Sequence, residues 1–435
     1  MSGVQTFLQA VRSDAARLEA DFAAICATGG RLQGTPSADA AFSLVEDALA
    51  RIGTGSLARV TTAYHGWSLD AAAITIPGEA EPVPCAALVG SVSTEAGGVV
   101  LELLDLGRGA PSDVAAAGDQ VRGRAVLVQH EYAFATDTIH RRVKLRAASD
   151  AGAAAIIMVQ PGPGHGPVSG GANGCPVPAF GVGVEGATRM LAAGRARFSS
   201  LTQRHRAETT NLILDLPGKG PGHVVLSAHL DGHPLGQSAI DNATGVAALL
   251  SLARAAAPRV AELPRGLKLC VFGAEEWSLS GSRAWLAGLS RDAVSAMAMN
   301  LNLDSIAGSP RLTAMTSGFH RLGAFVQAAA AEAGFELAVH LPISISSDHA
   351  NFAHHGVPAM RLIAGFNEPD SVLSRLLTGA DTQGCVPLTE LRQATEVAGA
   401  ILWRGLTATQ SELDALRQDA DSVAEAMKVL APLPV

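Results

Sequence analysis

Residues 223–257 read HVVLSAHLDGHPLGQSAIDNATGVAALLSLARAAA. The stretch opens on a short, mostly apolar run of the kind that forms a strand buried on both faces. It passes through a polar loop carrying His229, Asp231, His233, Asp241 and Asn242, and closes on a segment with a helical apolar pattern. Strand, polar loop and helix make up the repeating unit of an α/β fold. Working outward, the unit recurs. LKLCVFGAEE (267–276), AMAMNLNLD (296–304), RLTAMTSG (311–318) and PAMRLIAG (358–365) read as further buried strands. SRAWLAGL (282–289), RLGAFVQAAAAEAG (321–334) and LTELRQATEVAGAILWRGL (388–406) read as helices between or after them. Such alternation predicts a mostly parallel sheet flanked by helices.

Two other textures precede this unit. Residues 5–53 are rich in Ala and Leu, and Phe7, Leu8, Val11, Ala15 and Leu18 approximate one helical face. RLQGTPSADAAF (31–42) breaks and restarts a helix, with Ser37 or Asp39 as its cap. From 76 to 204, apolar runs such as AALVGSV, VVLELLDLG, RAVLVQH and AAIIMV alternate with Gly and Pro turns, and Arg142–Ala151 reads as a helix. PGPGHGPVSGGANGCPVP (161–178) is a long Gly/Pro loop. The expectation is a mainly-β insert over 76–204, within an α/β domain made of 1–75 and 205–435.

Composition excludes several classes. A chain of 435 residues that is 48% hydrophobic and 17% charged buries a large core, in two domains or more. Its net charge of −8, the absence of a basic block and an aromatic content of 4% argue against a nucleic-acid partner. No apolar run approaches the ~18 residues of a membrane span. MSGVQTFLQAVRSDAARLEADF, at the start, has no uninterrupted apolar region of a secretory signal. The five cysteines, Cys26, Cys85, Cys175, Cys270 and Cys385, are odd in number, widely spaced and free of any CxxC. That favours a reducing, cytoplasmic setting over a disulfide framework. An apolar patch reporting a homo-oligomer is visible only in three dimensions.

Polar groups collect where the predicted strands end. His229, Asp231 and His233 follow the first, with Asp241 and Asn242 a short loop later; Glu275 and Glu276 follow the second; Asp304 follows the third; Asp348 and His349 follow LAVHLPISIS. In an open α/β sheet this edge is where ligands bind. Each group alone is ordinary: a strand end, a solvated Glu pair, a helix cap at Asp241-Asn242. Together they supply what a hydrolytic metal site needs. Imidazole and carboxylate are normal zinc ligands, a carboxylate can bridge two ions, and of adjacent glutamates one can hold metal while the other takes a proton from water. An Asp two residues beyond a His can orient its surroundings.

These segments (HLDGH, AIDNATGVAALL, GAEEWSLSGS, NLDS and SDHANFAHHGVPA) resemble, in order, the zinc-dependent aminopeptidases of the glutamate carboxypeptidase and bacterial leucyl aminopeptidase type. VRGRAVLVQHEYAFATDTIHRRVKLRAASDAGAAAIIMVQ resembles a protease-associated domain, and RLQGTPS fits the family's opening pattern. The resemblance covers roughly 209–435 and implies a phosphorylase/hydrolase-like fold interrupted by that module. It implies one or two zinc ions, and a small peptide or aminoacyl substrate. It makes His229 and Asp304 ligands of a first zinc, Asp241 the bridging carboxylate, Glu276 a ligand of a second zinc, Glu275 the general base and Asp231 a support of His229.

One departure matters. The family's last zinc ligand sits in a His-Thr-x-x-Asp-Thr segment, which here reads Leu377-Thr378-Gly379-Ala380-Asp381-Thr382. Leucine binds no metal, so the second site lacks its imidazole. Three outcomes stand open: another histidine, His349 or His233, substitutes; the second ion binds weakly; or the chain is no longer a peptidase but a non-peptide amidohydrolase or a binding scaffold. No GxSxG elbow or HExxH helix offers a rival chemistry. The GxGxxG match at Gly181–Gly186 reads as a turn into a helix rather than a nucleotide site. Arg361 suits either a substrate carboxylate or a structural ion pair, and Tyr132 and His140 either reach over the cleft or lie in a solvated loop.

Overall fold

In a computed structural model, which describes residues 3–172 and 174–430, the apolar runs become strands of one continuous sheet. They are β1 (Ser56–Thr75), β2 (Cys85–Ala87), β3 (Val99–Asp105), β4 (Ala125–Gln129), β5 (Ala155–Gln160), β6 (Ala179–Gly183), β7 (Arg195–Leu216), β8 (His223–His229), β9 (Gly266–Phe272), β10 (Met297–Leu303), β11 (Leu312–Met315), β12 (Ala338–His340) and β13 (Ala359–Ala364). Their order is β12-β11-β13-β10-β8-β9-β7-β3-β4-β5-β6-β2, with β1 alongside β7.

The centre is β8, with β10 and β9 parallel on either side and β13 parallel beyond β10. These strands are buried almost throughout because helices cover them. The helix Thr244–Val260, apolar on nearly every face, packs beside the helix Leu388–Thr407 against β8 and β10. Among the described residues no helix is long and apolar enough to cross a membrane.

β7 joins the two halves. Its C-terminal residues Leu212–Leu216 pair with β9, its N-terminal residues Arg195–Phe198 pair with β3, and β1 runs antiparallel along it. Its 22 residues span about 70 Å at the usual rise of a strand. The expected 204/205 limit of the insert therefore falls inside one strand, where the exposed middle of the ribbon, TQRHRAETT, looks like a break in the sequence.

The insert is α/β, not mainly β. β3, β4, β5 and β6 run parallel, with β2 antiparallel at the edge. Parallel neighbours need crossovers, and the helices Pro111–Ala117 and Arg141–Asp150 supply two of them. The first of these, PSDVAAA, is too short to register as a helical period. The GxGxxG stretch is the end of β6 entering the helix Val184–Ala193. A Cβ on Gly181 would lie 1.7 Å from the Val168 carbonyl oxygen, so this glycine exists to let the 161–178 loop lie on the strand. Near the N-terminus the helix Pro36–Ala50 starts on proline, one residue after Thr35. Ser37 is therefore not its cap; its hydroxyl accepts from the Arg31 N–H at 3.0 Å.

Candidate metal centre and cleft

Three strand ends, those of β8, β9 and β10, converge. β8 and β9 stay in register to their last residues, so His229 lies opposite Phe272. The chain then turns through Gly273 and Ala274, the latter at φ 53°, a left-handed conformation that alanine adopts only where the surroundings enforce it. That turn presents the N–H groups of Glu275 and Glu276 to the two carboxylate oxygens of Asp231, at 3.0 and 3.2 Å. Asp231 thus holds the glutamate pair. His229 is oriented by the Asp231 backbone carbonyl, 3.1 Å from Nδ1, while the nearer carboxylate oxygen stands at 3.8 Å. An N–H donated from Nδ1 leaves Nε2 free for a cation.

Asn242 takes the helix-capping role expected of the Asp-Asn pair. Its Oδ1 accepts from Gly245 N–H at 3.0 Å and its Nδ2 donates to the Leu303 carbonyl at 2.8 Å. Asp241 is left to face the cleft. Its turn is pinned by Asp381, whose Oδ1 accepts from Ile240 N–H at 2.8 Å. Asp304 follows β10 and is flanked by the Ser305 hydroxyl at 3.0 Å and the Arg361 guanidinium at 2.9 Å. Below it, Asn300, Ser227, Asn302 and Ser347 form a buried hydrogen-bonded ladder across β10 and β8.

The result is a cluster of donors. His229 Nε2 lies 3.1 Å from Asp241 Oδ1 and 3.6 Å from Asp304 Oδ1. One ligand atom each of His229, Glu275 and Asp304 fall within 4.8 Å of one another. These separations suit the edges of a tetrahedron around an ion with bonds of about 2.0–2.2 Å. Across the site His233 Nε2 lies 2.7 Å from Glu276 Oε2. Asp241 Oδ1, His233 Nε2 and Glu276 Oε1 are buried and make no hydrogen bond. Buried polar atoms are normally satisfied, so these unsatisfied atoms, all of zinc-binding chemistry, suit a cation.

The electrostatics agree. Burial pushes the Glu275 carboxyl well above its ordinary range, and the charges of Glu276, Asp304 and Asp348 add to this against the pull of His229. Burial acts on Asp304 too, but Arg361 and His229 outweigh it and hold that carboxyl far down. Burial raises Asp231 to about 6 and Asp348 to about 7. Burial disfavours a charged His229, yet Glu275, Asp241 and Asp304 raise its proton affinity well above normal.

His349 is not brought to this cluster. Its Nε2 meets Ser317 Oγ at 3.1 Å, and among the described residues no hydrogen bond or ion pair joins it to Glu276, Asp241 or Asp304. It sits in the first turn of a helix packed on β10 and β13, which faces its ring into the protein. Arg361 is an ion-pair partner of Asp304, also held by the Ser346 carbonyl at 2.8 Å.

A cleft of about 740 Å³ lies between these strand ends and the insert. Tyr132 crosses it, its hydroxyl donating to the Gly365 carbonyl at 2.6 Å. His140 caps the helix Arg141–Asp150, its Nδ1 accepting from Arg142 N–H at 3.1 Å. Beside it Arg141 faces the cleft. Nε donates to the Gly171 carbonyl at 2.9 Å, and among the described residues no carboxylate pairs with the guanidinium.

Sequence reasoning passed over Arg141, Asp381, Ser169 and above all Arg31. The Arg31 side chain is fully buried, and its guanidinium donates to the carbonyls of Leu230, Gln237 and Ser238 at 2.8, 2.7 and 2.7 Å. It ties together both ends of the 230–238 loop. Its only sequence signal was a place in RLQGTPS.

Fold and site together define a metal-dependent hydrolase built on a mostly parallel α/β sheet. Residues 211–385, which contain each of the ion-ligating candidates, match the model of Peptidase family M28. Aminopeptidase YwaD of Bacillus subtilis (strain 168) is 24% identical over 330 residues, 73% of this chain and 69% of that protein. The structure of BSAP, a zinc aminopeptidase from Bacillus subtilis, superposes with a TM-score of 0.74 at 21% identity, covering 91% of this chain and 96% of that one. A Peptidase M28 precursor from Shewanella amazonensis SB2B gives 0.75 at 18% identity over 94% and 98%.

Proposed function

We propose that the chain is a zinc-dependent aminopeptidase that hydrolyses the amide bond of short peptides or aminoacyl compounds. The observation that carries this reading is the convergence of His229, Asp241 and Asp304 beside the buried Glu275. His229, Asp241 and Asp304 would hold a first ion, and Asp241 with Glu276 would share a second. Bound zinc supplies Lewis acidity, making water nucleophilic near neutral pH and polarising the substrate carbonyl.

The rest falls to the protein. Glu275 takes the proton of the attacking water and returns it to the leaving nitrogen, a role its raised proton affinity suits. Asp231 fixes Glu275 through the backbone, so the base needs no side-chain contact that would compete with its proton. Arg361 keeps Asp304 ionised, and hence a ligand. The unpaired Arg141 is the cation available to a free carboxylate at the far end of a short peptide. The five unpaired cysteines support a cytoplasmic setting.

The test is a panel of aminoacyl reporter amides, assayed before and after chelation and after zinc is restored. Release of the amine that chelation abolishes and zinc rescues is expected. Turnover of non-peptide amides alone would replace the aminopeptidase reading with an amidohydrolase, and turnover indifferent to chelation would end the metal reading.

A further inference from the structure

We propose that His233 is the nitrogen ligand of the second zinc ion, supplying from the loop after β8 the imidazole that Leu377 cannot. The proposal rests on the zinc reading above and adds to it the identity of a ligand.

Three independent features point the same way. First, His233 is 2% exposed, and its Nε2 stands 2.7 Å from Glu276 Oε2, a buried contact between two groups that both bind zinc. Glu276 Oε1 and Asp241 Oδ1 are buried orphans of the same site. Histidine, a glutamate and a shared aspartate form an ordinary zinc set.

Second, the ring is built into its orientation. Ser169 Oγ lies 3.3 Å from Nδ1, so the tautomer that donates from Nδ1 leaves the Nε2 lone pair toward Glu276. The His233 N–H donates to Ser238 Oγ at 3.0 Å, and a Cβ on Gly30 would lie 2.1 Å from the His233 carbonyl oxygen. Arg31 holds the rest of the loop.

Third, the segment that lost its histidine now supports the one that gained it. The Leu377 carbonyl accepts from Ser169 N–H at 2.7 Å, and Thr378 bridges Val168. The Leu377 backbone thus positions the serine that orients His233, while the leucine side chain packs against apolar groups of both halves. His349, the other candidate, is committed to Ser317.

The experiment counts zinc in purified, dialysed protein by elemental analysis and titrates the metal-free protein with zinc by calorimetry. The unaltered chain is expected to bind two ions. His233→Ala should bind one, and His233→Ala combined with Leu377→His should recover the second. Ser169→Ala, which leaves the imidazole in place, should weaken the second ion about tenfold and leave the first unchanged. Retention of one tight ion shows that the variants are folded. Two ions of unaltered affinity in His233→Ala, or a single ion in the unaltered chain, would overturn the assignment while leaving the first site standing. No zinc in the unaltered chain would instead overturn the functional reading beneath it.

Discussion

The two walls of the cleft treat charge in opposite ways. On the β8–β9–β10 side, Asp231, Asp241, Glu275, Glu276, Asp304 and Asp348 crowd together, and burial drives the proton affinity of several of them up. Among the described residues, only Arg361 approaches them as an ion-pair cation of fixed charge. On the insert side, Glu131 accepts from Arg108 and from the fully buried Lys144, whose ammonium also reaches the Gln129 carbonyl at 2.8 Å. There the charges of Glu131, Arg108 and Lys144 are answered by one another. The comparison teaches where a cation is missing: a wall of buried carboxylates with orphaned oxygens is complete only when an ion from solution joins it.

The sharpest way to break this comparison is Glu275→Gln. It removes the base but not a proposed zinc ligand, so kcat should fall by about 10³-fold with zinc content unchanged. Normal turnover in that variant would remove Glu275 from the chemistry. Arg31→Met comes next. It strands buried carbonyls of the loop that carries His233, and should lower unfolding stability by about 3 kcal/mol while loosening zinc. Equal zinc affinity in a destabilised variant would show that the loop holds itself.

On the opposite wall, Glu131→Gln leaves Lys144 buried without its partner and should cost about 2 kcal/mol at pH 7 with no change in zinc content. Burial works to raise Glu131, but Arg108 and Lys144 lower it to about 2, against an ordinary value of 4.5. The wild-type advantage is therefore complete above the ordinary value and shrinks as pH falls toward about 2. Thermal unfolding of both proteins across that window measures it, and a difference that widened with acid would contradict the pairing. The smallest effect belongs to Arg141→Gln. KM should rise about tenfold for peptides with a free C-terminal carboxylate and stay the same for their amides. An equal rise for both would make Arg141 a structural residue.

Much of the catalytic half was legible because its signals are local. Apolar runs such as VVLSA and LCVF are strands whose ends carry the polar groups, and each of His229, Asp241, Glu275, Glu276 and Asp304 was recognisable at a strand end. The insert was misread as mainly β because its crossover helix Pro111–Ala117 is too short to show a period. Ser37 lost its expected capping role because Pro36 opens the helix one residue earlier. Asp231 was expected to support His229; its backbone carbonyl meets that ring, while its carboxylate holds the Glu275–Glu276 turn, a contact between segments 44 and 45 residues apart. Arg31 showed only as a place in RLQGTPS, since a guanidinium that binds carbonyls needs no partner side chain in the sequence.

Taken alone, the amino-acid order determined the α/β class, the strand-end chemistry and the loss of one imidazole at Leu377. It left open whether His349, His233 or neither replaced it. The proposal for His233 comes only from the folded chain, because it depends on where Ser169, Glu276 and the Leu377 carbonyl meet in space. Their separations of up to 208 residues carry no local pattern, and the few tenths of an ångström that separate a ligand from a bystander exist only once the two halves have packed.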